Sequence, residues 1–218
     1  MMELQVKLQA LKKRDPNFSI FGASQHRYQL RPVISKDVVD GFERKYGCAF
    51  PDDYKDFIMS VGNGGAGPSY GLFPLGQHDL NHGMCAWDED YILGDPSKSF
   101  KHKQAWNLPS SFLNKKPDPE ICKSEEQEEA FWESWQDEIN LTYWTGDIME
   151  GAIPICHHGC AVRTWLVVTG PMSGTIWDDH RSEYNGIAPV MTSDGVYSSF
   201  TDWYSAWLMQ SLDDLENR

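Results

Sequence analysis

The sequence is short of basic residues. Its 218 residues include 19 Lys and Arg against 32 Asp and Glu, which gives a formal net charge of −13. A nucleic-acid duplex or an anionic membrane surface would repel such a chain, because phosphate binding needs clustered Lys and Arg. We therefore expect neither nucleic acid nor membrane lipid as a partner. The surplus carboxylates either keep the protein soluble or complement a basic protein, such as a nuclease domain that holds nucleic acid.

Long apolar runs are also missing. No run approaches the roughly 20 residues that a membrane-spanning helix needs. The N-terminal sequence MMELQVKLQALKKR has no apolar segment of the signal-peptide kind and reads as a short amphipathic helix. The cysteines are few, scattered and odd in number, which is typical of a reducing compartment; they are Cys48, Cys85, Cys122, Cys156 and Cys160. We expect a cytoplasmic protein.

Motifs that would indicate a reaction are missing as well. There is no G-x-S-x-G turn of the hydrolase type. The glycine-rich stretch at residues 63–67 lacks the Lys-Ser or Lys-Thr pair of a phosphate loop and is typical of a helix stop. Asp178, Asp179 and His180 follow a strand-like segment, where adjacent acids usually form turns. We expect a protein that is not an enzyme and has no cofactor.

One segment invites a metal site. Cys156-His157-His158-Gly159-Cys160 carries four Zn²⁺-binding side chains, which His180 or Asp178 could supplement. Tetrahedral sites normally combine two short pairs of ligands from distant segments, and a strand that alternates faces cannot turn all four side chains to one ion. We therefore favour a hairpin turn at His158-Gly159 with the cysteines packed as small apolar groups, and we expect no metal.

The first third of the chain predicts helices. After a helix that ends near Arg14, Ser35 is a candidate N-cap and Gly47 a candidate stop for the next helix. Pro51 suits the first turn of the helix after it, which the glycine turn at residues 62–65 ends. The apolar spacing places two sets of side chains inward: Val38, Val39, Phe42 and Tyr46 in the first of these helices, and Tyr54, Phe57, Ile58 and Val61 in the second.

The rest of the chain predicts a sheet between helices. Residues 70–75 read as a strand, and Ser124 with Gln127 begins a helix whose inward face is Phe131, Trp135 and Ile139. Residues 152–155, 162–169 and 174–178 read as a β-meander, and Ser199 with Asp202 caps a final aromatic helix. This order predicts an α+β fold: an antiparallel meander flanked by N-terminal helices and a C-terminal helix. We expect one domain over residues 1–218, with an arm at 1–34 and an insertion at about 77–150.

Four segments in this order resemble the SUKH superfamily, which includes bacterial immunity proteins and fungal cell-wall-synthesis regulators. They are the helix from Phe50-Pro51 to Phe57 with its Asn63-Gly64-Gly65 turn and Tyr70-Gly71-Leu72, the Ile153-Pro154-Ile155 strand, the pair Trp165 to Gly170 and Gly174 to Asp178, and the helix from Ser199 to Leu208. Phe50 stands where the family usually has Leu. The resemblance implies a protein-binding role without shared catalytic residues.

The leading hypothesis is an immunity protein that neutralises a basic toxin, such as a nuclease, whose nucleic-acid-binding surface is basic. A regulatory scaffold in an endogenous pathway such as envelope synthesis is the alternative, and a metal-dependent enzyme built on residues 156–160 is the third. Surface loops tolerate change and suit partner specificity. We therefore predict that partner contacts come from acidic residues of the insertion: Asp88, Glu89, Asp90, Glu125, Glu126, Glu128 and Glu129. Nothing in the sequence indicates the oligomeric state.

Overall fold

The structure is a computed structural model that describes residues 1–76, 78–79, 84–85, 94–118, 122 and 124–217. Seven α-helices lie in this part of the chain: α1 (Met2–Arg14), α2 (Ala23–His26), α3 (Lys36–Tyr46), α4 (Asp52–Ser60), α5 (Ser110–Leu113), α6 (Glu125–Thr142) and α7 (Phe200–Glu216). Short 3₁₀ turns occur at Gly146–Met149 and Arg181–Glu183. No helix of the described ranges is long and apolar enough to cross a bilayer.

The strands form two antiparallel sheets. A small pair consists of β1 (His78–Asp79) and β2 (Met84–Cys85). The main sheet has four strands in sequence order: β3 (Ala152–Gly159), β4 (Val162–Val167), β5 (Ile176–Asp179) and β6 (Ile187–Pro189). An antiparallel meander between N-terminal helices and a C-terminal helix is the α+β fold that the sequence predicts, and that prediction is confirmed.

The main sheet is buried on both faces, because successive side chains of a strand point to opposite sides. Leu166 and Ile176 pack with Phe57 of α4 and Tyr204 of α7 in the larger core. Their neighbours in sequence, such as Trp165 and Trp177, pack in a second core with Phe100 and Met149. The larger core, to which α3, α4 and α7 contribute and in which α1 packs on α7, therefore lies on one face, and Phe100 and Met149 of the predicted insertion lie on the other.

Aromatic contacts join the helices of the larger core. The Phe57 ring lies 4.9 Å from the rings of both Phe200 and Tyr204, in edge-to-face geometry, which adds to the stabilisation from apolar burial. The Tyr204 hydroxyl donates to the Ala66 carbonyl at 2.9 Å and so fixes α7 to the glycine turn. Helix α7 begins with the predicted capping box, in which Ser199 accepts from the Asp202 N–H and the Asp202 side chain accepts from the Ser199 N–H.

The predicted strand at residues 70–75 is wrong as an extended strand. The segment makes only isolated bridges, through Leu72 to Gly65 and to Cys156. Gly71 has a φ of +101°, outside the β region, and Pro74 has no N–H to donate. The segment therefore lies beside β3, with the Tyr70 and Phe73 N–H groups donating to the His157 and Ile155 carbonyls, but it does not form a regular strand.

The turn between β3 and β4 lies two residues beyond its predicted position. Strand β3 continues through His158 and Gly159, and the chain reverses at Cys160-Ala161. Both turn residues have positive φ, at +47° and +63°. Two-residue hairpin turns require such angles and usually have Asn or Gly at these positions. The sequence therefore predicts the turn at the neighbouring Gly159 rather than at Cys160-Ala161.

Three further helix predictions need correction. Val38 is 44% exposed, and in α3 only Val39 is fully buried. Pro51 occupies the N-cap position of α4 rather than its first turn. Phe131 is 49% exposed, while its predicted companions Trp135 and Ile139 are buried. Periodicity identifies a helix face, but the width of that face depends on what packs against it.

Candidate functional site

The first turn of α6 displays a dense group of carboxylates, which we name the acidic turn: Glu125, Glu126, Glu128 and Glu129. Three of them are exposed and Glu128 is half-buried. The Ser124 hydroxyl accepts the Gln127 N–H at 3.3 Å and caps the helix. Negative side chains suit the positive end of the helix dipole, so the turn is compatible with helix stability without any partner.

No Lys or Arg of the described ranges forms an ion pair with the acidic turn. Two lysines of the predicted insertion, by contrast, have carboxylate partners nearby. Lys98 donates to Glu150 Oε1 at 2.6 Å, and Lys101 lies 3.0 Å from Glu150 Oε2 and 3.5 Å from Asp147. Lys98 and Lys101 are thus paired locally, whereas Glu125, Glu126 and Glu129 of α6 are exposed.

Helix α6 is held to the sheet by buried groups. Trp135, Ile139 and Tyr143 form a third apolar cluster. Arg181, 1% exposed, donates from Nη1 to the Tyr143 carbonyl at 2.8 Å, and Gly186 N–H donates to the Tyr143 hydroxyl at 2.9 Å. The acidic turn therefore belongs to a well-anchored helix, as a preorganised binding surface requires.

Asp88, Glu89 and Asp90, the other predicted contact residues, lie outside the described residues. The structure thus brings the four predicted glutamates together at the start of α6, within residues 125–129, and does not address the remaining three acids.

A second polar constellation is centred on His158. Ser69 Oγ lies 2.9 Å from His158 Nδ1, His158 Nε2 lies 2.6 Å from Thr164 Oγ1, and the Thr164 hydroxyl donates to Asp178 Oδ1 at 2.7 Å. A carboxylate only accepts hydrogen bonds, so the Thr164 proton points to Asp178. His158 then donates from Nε2 and accepts the Ser69 proton at Nδ1. The three hydrogen bonds, from Ser69 to His158, from His158 to Thr164 and from Thr164 to Asp178, therefore all run in the same direction.

The His158 imidazole is held neutral. Burial lowers its pKa below the usual range because it disfavours the imidazolium, although the Asp178 carboxylate opposes this shift. A serine, a histidine and an aspartate in one chain resemble a hydrolase relay, but two elements differ. Thr164 separates the histidine from the aspartate, and the N–H groups of Tyr70 and Gly71, after Ser69, already donate to the His157 and Pro68 carbonyls. Neither is available as an oxyanion donor.

The four metal-binding side chains of residues 156–160 diverge. The Cys156 thiol is buried and donates to the Pro68 carbonyl at 3.2 Å, while the His157 ring packs edge-on against Tyr70 and Phe73. His158 joins the hydrogen-bonded chain, and Cys160 is exposed at the turn. Within the described ranges, no group of three or more His, Cys, Asp and Glu side chains has a geometry that could hold a metal ion.

Sequence reasoning missed Ser69 and Thr164 as members of this constellation. Ser69 is 89 positions from His158, and only the fold of the glycine turn onto β3 brings them together. Thr164 faces Asp178 because β4 and β5 pair in that register. The strand pattern around Thr164 predicts β4, but it does not indicate that Asp178 lies opposite Thr164.

The comparisons with known proteins agree with this fold. The model of the SMI1/KNR4 family (SUKH-1) matches residues 33–206, which include α3, α4, the whole main sheet and the first part of α7. No curated protein and no solved structure matches the chain. A family match over most of the sequence, together with a four-stranded meander between helices, shows that the chain belongs to the SMI1/KNR4 family (SUKH-1).

Proposed function

We propose that the protein is a non-enzymatic immunity protein, which binds a basic toxin in the cytoplasm and blocks its substrate-binding surface. Membership of the SMI1/KNR4 family supports an immunity or regulatory role exerted through protein binding. The toxin and the cytoplasmic location are the finer parts of the proposal. Four of the five cysteines, Cys48, Cys122, Cys156 and Cys160, are free thiols, which suits a reducing compartment.

One observation carries the proposal: the carboxylates of the acidic turn pair with no Lys or Arg among the residues that the structure describes. Exposed like charges in one helical turn repel one another, and a partner with clustered Lys and Arg would relieve that repulsion. Such a surface also accelerates association with a basic protein, because the field of the patch steers the encounter. A toxic nuclease has the required charge, since it must hold phosphates.

The absence of catalysis is also a proposal. It is supported by the hydrogen-bonded series of Ser69, His158, Thr164 and Asp178, which among the described residues comes nearest to a hydrolase relay. The histidine reaches its carboxylate only through a threonine, and the two N–H groups after Ser69 are committed within the fold. Acyl transfer needs free donors directed at the developing oxyanion.

The experiment is capture of the partner from two sources. The tagged full-length chain is used as bait with the product of the adjacent gene and, separately, with extract of its own cells grown without competitors. We expect a salt-sensitive complex with a basic neighbouring toxin, and protection of cells that express both. A housekeeping protein captured from the unchallenged extract instead would favour a regulatory scaffold. If no adjacent toxin exists and expression protects against no effector, the immunity proposal fails.

A further inference from the structure

A pocket of about 330 Å³ lies at the turn end of the β3–β4 hairpin, where the glycine turn meets the sheet. We name it the His158 pocket, and its polar and aromatic lining comprises Phe21, Ser69, His158, Asp178, His180 and Glu183. Four separate segments contribute to it. Neither the acidic turn nor any lysine or arginine is part of its wall.

The charge of the pocket is negative and is not neutralised internally. Asp178 uses Oδ1 to accept the Thr164 hydroxyl, and no described cation pairs with it. Glu183 is exposed, and its one ion-pair neighbour is His180 Nδ1 at 3.3 Å. The half-buried imidazole of His158 stays neutral and donates towards Asp178 through Thr164, so it orients the carboxylate without cancelling its charge.

An exposed aromatic ring forms another wall. Phe21 is 65% exposed, and its edge rests on the Tyr70 ring at a centroid distance of 5.5 Å. An apolar ring left this open on a protein surface is available to a ligand. The face of a phenyl ring attracts a flat cation, and guanidinium stacks there better than ammonium does.

The shape of the pocket is fixed by unusual backbone. Ser69 and Cys160, which both line the pocket, have positive φ, at +48° and +47°. Non-glycine residues adopt this conformation at a cost, and it persists where the surrounding packing imposes it. Here Gly22 packs directly against the Ser69 backbone, and the Cys156 thiol holds the Pro68 carbonyl. The pocket is therefore built before any ligand arrives.

We propose that the His158 pocket receives an arginine side chain of the protein partner. The guanidinium binds Asp178 by charge-assisted hydrogen bonds and lies against the Phe21 ring, with Glu183 at the rim. Arginine fits better than lysine, because its planar fork can both bind a carboxylate and stack on a ring. This inference rests on the proposed function in one respect, namely that the partner is a basic protein.

The test uses a small probe and so does not depend on finding the partner. N-acetylarginine amide is titrated into the ¹⁵N-labelled full-length protein, with N-acetylcitrulline amide as the neutral isostere. We expect arginine, and not citrulline, to shift the amide signals of Gly159, Cys160 and Asp178 with a Kd on the order of millimolar. Asp178→Asn keeps an acceptor for Thr164 and should weaken binding about tenfold, since hydrogen bonds to a charged group are the strong ones.

Two further variants control the experiment. Phe21→Ala should also weaken arginine binding, and because its side chain is exposed it should leave the fold intact. Asp213→Asn removes an exposed carboxylate of α7, outside the pocket and the acidic turn, and should leave arginine binding unchanged. Equal shifts with citrulline, signals that move on α6 instead, or full affinity in Asp178→Asn would each overturn the inference.

The inference and the proposed function fail in different ways. If the probe binds the pocket but no partner protein is ever captured, the immunity proposal fails and the cation pocket stands. If a partner is captured and Asp178→Asn binds it as tightly as the unaltered protein does, the pocket is not the anchor and the inference fails. Weakening of both probe and partner by Asp178→Asn supports the inference.

Discussion

Arg181 and Asp179 form a buried bidentate ion pair at the end of β5. Nε of the guanidinium lies 2.9 Å from Asp179 Oδ1 and Nη2 lies 2.7 Å from Oδ2, and the two residues are 1% and 7% exposed. The same guanidinium donates to the Tyr143 carbonyl. One side chain thus joins the sheet to the helix that carries the acidic turn.

We expect Asp179→Ala to destabilise the protein by about 3–5 kcal/mol, because it leaves the Arg181 charge buried without its partner. Chemical denaturation followed by circular dichroism measures this. Asp40→Ala, which removes the exposed pair of Asp40 with Lys36, is the matched control and should cost much less, because solvent screens an exposed ion pair. Equal losses in the two variants would show that burial of the Arg181 pair has no special role.

The hairpin turn predicts a stabilising substitution. Ala161 has a φ of +63°, which glycine adopts without strain, so Ala161→Gly should raise the free energy of unfolding by about 1 kcal/mol. Ala206→Gly, at an exposed site within α7, is the same chemical change and should lower it by about 1 kcal/mol. Opposite signs in thermal unfolding support the turn geometry; a loss in both variants would contradict it.

His26 predicts a loss of stability in acid. Burial lowers its folded-state pKa to about 4, while the unfolded chain keeps a value near 6.5. The unfolded state therefore binds more protons between these values, so the stability from His26 is complete above about pH 6.5 and falls as the pH drops towards 4. We expect this contribution to be about 3 kcal/mol, since one pKa unit corresponds to about 1.4 kcal/mol.

The variant His26→Asn isolates that contribution. Asparagine offers an acceptor for the Tyr28 N–H, which His26 Nδ1 accepts at 3.0 Å, but it does not titrate. Unfolding free energies measured from pH 7 to pH 4.5 should fall less steeply in the variant than in the unaltered protein. His102 and His158, whose pKa values burial also lowers, remain in both proteins and cancel in the comparison. Parallel slopes would exclude His26 as a source.

Ser69 should not behave as a catalytic nucleophile. We expect a fluorophosphonate probe to label the full-length protein no more than it labels Ser69→Ala, since the N–H groups of Tyr70 and Gly71 are already committed. Intact-mass measurement after incubation decides the matter. Stoichiometric labelling that disappears in Ser69→Ala would contradict the non-enzymatic proposal.

The parts of the fold that local chemistry determines were predictable from the sequence. The Ser199 cap, the glycine turn after α4 and strand β4 each carry their own signal in adjacent residues. Strand β6 does not. It has three residues, includes Pro189, and exists because β5 offers it an edge, with Trp177 opposite Pro189.

The candidate sites divide in the same way. A run of glutamates after a helix cap predicts an exposed acidic turn, because both signals are local. The His158 pocket depends on the hydrogen bonds that join Ser69, His158, Thr164 and Asp178, and the longest of these, from Ser69 to His158, spans 89 positions. Composition and periodicity do not encode such distances. The metal hypothesis for residues 156–160 likewise depended on side-chain directions that only the strand register sets.

The dependence of partner association on salt tests the central claim most directly. With the captured partner, we expect the association rate constant to fall steeply as ionic strength rises, and Glu125→Lys with Glu126→Lys to lower both the rate at low salt and its salt dependence. Asp213→Lys with Asp214→Lys reverses the same number of charges on α7 and should change the rate much less. If the α6 and α7 variants associate at equal rates and with equal salt dependence, the acidic turn does not guide the partner and the account is contradicted.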